Sequence, residues 1–85
     1  MAQMAASIKA YPNPVLNVLT IELPANTIAY HIRLLDITGK LLLEKQVFGT
    51  VQLAMGNLAN GIYLLETIDA KGLKAVQTVI KAGRR

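Results

Sequence analysis

Apolar residues recur at every second position in short runs along this chain, and turn residues separate the runs. Over residues 28 to 35, Tyr30, Ile32 and Leu34 alternate with His31 and Arg33, the period of a strand with one buried face. Residues 15 to 23 end the same way, with Leu19, Ile21 and Leu23 set against Thr20 and Glu22, until Pro24-Ala25-Asn26-Thr27 breaks the run. Further runs lie over 7 to 11, Lys40 to Val47, Val51 to Leu53, 62 to 68 and 73 to 81. No segment carries a helical period, and β-branched residues and glycines fall where a helix tolerates neither. Short strands at this spacing predict an all-β chain: an Ig-like antiparallel β-sandwich of about seven strands, with a small barrel as the competing architecture.

The turns add detail. Asp36-Ile37-Thr38-Gly39 and Asp69-Ala70-Lys71-Gly72 each put aspartate first and glycine fourth. That order predicts a type I turn closed by a glycine bulge, so two hairpins share one turn design. Residues 57 to 63 read Asn-Leu-Ala-Asn-Gly-Ile-Tyr. A leucine, a turn ending in glycine and a tyrosine two residues later fit the tyrosine corner of Ig-like sandwiches. Leu58 would then plug the core, Gly61 would take the left-handed conformation, and the Tyr63 hydroxyl would bond back to upstream backbone. An ordinary loop with a core Tyr63 is the alternative.

Composition narrows the class. A chain of 85 residues makes one domain. At this size roughly 60–65% of the unfolded surface is buried, so stability is thin. With 53% apolar residues and only Tyr11, Tyr30, Phe48 and Tyr63 as aromatics, the core is predicted to be aliphatic. So apolar a small body also predicts exposed apolar surface, the mark of a contact face. There is no cysteine, hence no disulfide framework and no thiolate metal site. No apolar run reaches the ~18 residues of a membrane-spanning helix. Residues 1 to 6 lack the basic and apolar regions of a signal peptide and read as a disordered leader or cloning remnant. The formal charge is +4, and Lys71, Lys74, Lys81, Arg84 and Arg85 concentrate it near the end. They read as a solvated basic edge and tail. Nucleic-acid binding would require a denser patch with stacking aromatics.

Chemistry-bearing constellations are sparse. The acids are Glu22, Asp36, Glu44, Glu66 and Asp69, and two of these already have turn roles. His31 is the single histidine, expected on an outer strand face, and a metal site needs several convergent ligands. Neither a phosphate loop nor a dinucleotide fingerprint occurs. No catalytic, cofactor or metal residues are predicted, and the chain does not read as an enzyme.

Four motifs stand in order: Tyr-Pro-Asn-Pro at 11–14, Leu-Thr-Ile-Glu-Leu at 19–23, Leu-Leu-Asp-Ile-Thr-Gly-Lys-Leu-Leu at 34–42 and Leu-Ala-Asn-Gly-Ile-Tyr-Leu-Leu-Glu at 58–66. A Val-Ile-Lys strand end follows at 79–81. Together they closely resemble the type A C-terminal sorting domain of the type IX secretion system of Bacteroidetes. The resemblance spans residues 7 to 81, leaving 82–85 as a basic tail. It implies a domain at the end of an exported cargo protein, carried through the periplasm to the cell surface or beyond. Implied partners are the N-terminally fused cargo, the outer-membrane translocon with its shuttle protein, and a sortase that cuts upstream of the domain. The residues that match the family pattern are Tyr11, Pro12, Asn13, Pro14, Asp36, Gly39, Leu58, Gly61, Tyr63, Val79, Ile80 and Lys81. One departure stands out: family members generally end at or just after the last strand, and this chain continues as Ala82-Gly83-Arg84-Arg85.

Proline fixes φ and pushes its predecessor toward extended geometry, so Tyr11 to Pro14 reads as a stiff, extended corner between linker and domain. The two prolines also donate no backbone hydrogen bond, which blunts a sheet edge. Other readings of the chain are a generic Ig-like or fibronectin-like adhesion or spacer module, and a small nucleic-acid-binding barrel. A third is a self-associating module in which two copies pair through an exposed last-strand edge.

Overall fold

The computed structural model describes residues 8–24 and 28–83. The expected leader at 1–6 lies outside the described residues, as do residues 25–27 and the tail residues Arg84 and Arg85. Among the described residues there are seven strands: β1 (Lys9–Tyr11), β2 (Val18–Glu22), β3 (Ala29–Asp36), β4 (Leu41–Phe48), β5 (Val51–Ala54), β6 (Gly61–Ile68) and β7 (Lys74–Lys81). They form two sheets, ordered β1-β2-β5 and β4-β3-β6-β7, with every strand pair antiparallel. The chain is an all-β sandwich, as the alternating pattern predicts.

That pattern decides which side chains meet between the sheets. On β3, Tyr30, Ile32 and Leu34 are buried, while His31 and Arg33 lie half-exposed on the outer face. Leu19, Ile21 and Leu53 face them from the smaller sheet, and Tyr63, Leu65 and Val79 complete the cluster from β6 and β7. The core is aliphatic apart from Met55 and the two tyrosines. Each fully buried Leu, Ile or Val contributes about 1.5–3 kcal/mol.

Thr67 shares the buried face of β6, and its hydroxyl has no hydrogen-bond partner. An orphaned buried hydroxyl costs about 1–3 kcal/mol of desolvation. Replacing Thr67 with valine is therefore expected to stabilise the fold by about 1 kcal/mol, read as a higher urea midpoint with an unchanged slope. A lower midpoint would mean that the hydroxyl is satisfied by water.

Both hairpin turns take the predicted geometry. Gly39 and Gly72 have φ of 92° and 87°, a region costly for any residue with a Cβ. Each aspartate carbonyl accepts from the glycine N–H at 2.9 Å. Each carboxylate also accepts two further backbone N–H bonds, from Thr38 and Lys40 to Asp36 and from Lys71 and Leu73 to Asp69.

The remaining acids hold the surface. On the outer face of the larger sheet, Glu66 takes Arg33 Nη1 at 3.1 Å and lies 3.7 Å from Lys74 Nζ. Glu44 pairs with His31, and Glu22 accepts from the Tyr11 hydroxyl. Partly exposed pairs of this kind contribute at most about 1 kcal/mol each. Their larger consequence is that all five acids of the chain are engaged.

Two expectations are corrected. The run 15–23 does not form one strand: β2 begins at Val18, and Val15 bridges Lys81 in parallel at the edge of the other sheet. Lys81 is also not part of a solvated edge, being only 6% exposed because it falls on the inward-facing register of β7 beside Val79.

Candidate functional site

The proline-flanked segment closes the domain onto its last strand. β1 ends at Tyr11, and the Tyr11–Pro12 and Asn13–Pro14 peptide bonds are both cis. Residues 12–14 are bends, so the expected extended corner is instead a folded one. The bound Glu22 carboxylate, with lesser help from desolvation and its charge, raises the Tyr11 phenol above its ordinary pKa of 10.0.

Asn13 then behaves like a length of strand. Its side-chain amide donates to Thr78 O at 3.1 Å, and its carbonyl oxygen accepts from Ile80 N at 2.9 Å. Val15 continues the ladder with its own backbone, donating to Ile80 O at 2.8 Å and accepting from Ala82 N at 3.0 Å. Val15 is fully buried, which anchors the segment. The last-strand edge is therefore not open along its whole length: Asn13 and Val15 cover it from Thr78 to Ala82. Over the earlier half, the Gln77 side chain of β7 reaches out to Ile8 O at 3.3 Å.

The other motif residues gather at the same end. Register places Asp36 of β3 opposite Tyr63 of β6, and Tyr63 opposite Val79 of β7. The Tyr63 hydroxyl donates to Ala59 O at 2.5 Å, closing the loop that precedes β6. Leu58 packs half-buried against the core. Gly61 has a φ of 154°, the positive φ expected of it and strained for a residue with a Cβ, although more extended than the left-handed helical value of about 57°. Gly61 is the first residue of β6, opposite Lys81. Only the Asp69–Gly72 turn stands apart, at the far end of the β6–β7 hairpin.

Asp36 brings an electrostatic consequence. The Thr38 hydroxyl, then the Lys40 and Thr38 backbone N–H groups, hold its carboxyl below the ordinary value of 3.8. A depressed folded pKa gives stability that is present above 3.8 and is lost as pH falls through the lower folded value. The stability difference between the natural chain and Asp36→Asn is expected to shrink as pH drops below 3.8. Thermal unfolding of both proteins between neutral and strongly acid pH checks this, and a constant difference would remove the assignment.

Around the strand end lies a cavity of about 640 Å³, open to solvent and lined by Leu16, Asn17, Gly56, Lys81 and Gly83. Of these, only Lys81 belongs to the sequence motifs. Leu16 and Asn17 sit between Val15 and β2, where Asn17 O accepts from Met55 N at 2.6 Å and ties that segment to the turn before Gly56. Gly83 is approached by Asn60 Nδ2 at 3.4 Å. No periodicity or motif marks these residues, because irregular segments brought together by the fold supply them.

No curated protein matches the chain. A family model described as the secretion system C-terminal sorting domain matches residues 9–82. The match runs from β1 past the end of β7, and so takes in both halves of the strand-end ladder. The chain belongs to that family, the C-terminal sorting signals of the type IX secretion system.

Proposed function

We propose that the domain carries an N-terminally attached cargo through the outer-membrane type IX translocon by presenting the end of β7 to a shuttle protein. A surface sortase then cuts upstream of Tyr11. The family match over residues 9–82 carries this reading. The placement of the motifs supports it: the cargo-side corner, the turn at Asp36, the Tyr63 loop and the last strand all lie at one end. A partner that grips this end also senses the linker leading to the cargo. Apolar surface is available there, since Ile62 and Ile80 face each other across β6 and β7 and both are exposed, as is Leu16. The domain is an address and a sortase substrate, not a catalyst, passing through the periplasm to the cell surface or the medium.

The test is a fusion of residues 7 to 85 behind a periplasmic fluorescent reporter, in a Bacteroidetes host and in its translocon-deficient derivative. Reporter outside the intact cells and retained in the deficient ones is the expected outcome. Retention in both, with the domain folded, would overturn the reading in favour of a generic Ig-like surface module.

A further inference from the structure

We infer that the cavity at the end of β7 is a binding site for a carboxylate carried by a polypeptide partner, an acidic side chain that pairs with Lys81. Lys81 is 94% buried by its 6% exposure, and it lines the cavity. Among the described residues no carboxylate lies within ion-pair reach of its ammonium, and its side chain makes no hydrogen bond. Every acid of the chain is committed elsewhere: Glu22 to Tyr11, Asp36 and Asp69 to their turns, Glu44 to His31, and Glu66 to Arg33. The stem of Lys81 is buried, and its ammonium meets solvent only through the cavity, where a ligand can reach it. A counter-ion for it has to come from outside these acids, and the cavity is the way in.

The walls fit that ligand. Two glycines keep the space clear: a Cβ on Gly83 would sit 3.5 Å from Lys81 Nζ, and one on Gly56 would press on Asn17 Oδ1 at 3.2 Å. Leu16 offers an apolar wall to the methylenes of an acidic side chain, and the Asn17 amide offers polar contact beside it. A single compact ammonium suits a monoanion. Phosphate sites instead draw on planar arginine forks or several converging backbone donors, and among the described residues no arginine lines the cavity. Its volume falls within the range of about 300–1,000 Å³ common for ligand pockets.

The experiment titrates the full chain, isotopically labelled, with acetyl-Val-Glu-Val-amide, followed by NMR. Saturable shifts of the Lys81 ε-methylene and of the Asn17, Gly56 and Gly83 amides are expected, with none from acetyl-Val-Gln-Val-amide. Lys81→Met should weaken binding about tenfold or more, the scale of one charge-assisted hydrogen bond. Gly83→Val, which narrows the mouth without altering a strained backbone position, should weaken binding similarly while keeping the melting temperature. Equal shifts from both peptides, or no saturable shift from either, would overturn the site. So would inorganic phosphate matching the glutamate peptide, which would make this a general anion site. A Lys81 signal that moves when the chain's own terminus is amidated, without peptide, would overturn it by identifying an internal occupant. The inference stands on the cavity alone: normal export with no binding would remove the site and leave the sorting reading in place.

Discussion

A chain that stops at Gly72 is expected to lose cooperative unfolding and to leave a fused reporter in the periplasm. Such a truncation removes β7 and leaves β6 an open edge from Gly61 to Ile68, held by β3 alone. It takes the buried Val79 out of the core, worth about 1.5–3 kcal/mol by itself. It also leaves Asn13 and Val15 with nothing to bond, so the first segment loses its hold together with the last. Against a total stability of about 5–15 kcal/mol for a domain of ordinary stability, these losses together are decisive. Urea unfolding followed by circular dichroism is the direct check. A sigmoidal transition at the original midpoint would show that β7 is an appendage rather than part of the fold.

Asn13→Ala is the second large effect. The substitution deletes both side-chain bonds to β7 and leaves every core residue in place. With net values near 1 kcal/mol per hydrogen bond, the expected loss is about 1–2 kcal/mol. Its distribution is more telling than its size. The Ile80 amide should exchange with solvent faster than in the natural chain, while amides in the middle of β3 stay protected against local opening. Asn13→Asp keeps the acceptor for Ile80 N but loses the donor to Thr78 O, so it should fall between the two. Unchanged exchange at Ile80 would mean that the ladder is not held by Asn13.

The sandwich was legible because its information is local and periodic. Tyr30, Ile32 and Leu34 announce the buried face of β3 without reference to any other segment, and Asp36 with Gly39 announces its turn. What the pattern could not show depends on distance along the chain. Asn13 meets Ile80 across 67 residues through a side-chain amide, a contact that imposes no periodicity on either segment. Val15 looks like the first residue of β2 because it is apolar and adjoins the run, yet its backbone belongs to the other sheet. Lys81 looks solvated because lysine ordinarily is. Only the strand register, which turns position 81 inward beside Val79, reveals that its ammonium sits in a cavity.

The parallel ladder of Asn13 and Val15 on β7 also gives the domain a mechanical character. In the proposed mode of recognition, a cargo would pull through the N-terminal side of this ladder, and a partner holding the last strand would pull from its C-terminal side. Two parallel segments drawn apart from those ends slide lengthwise past each other. The bonds at Thr78, Ile80 and Ala82 are then loaded together in shear, instead of opening one at a time like a zipper. A domain joined in this way resists tension along the line on which a towed cargo would apply it.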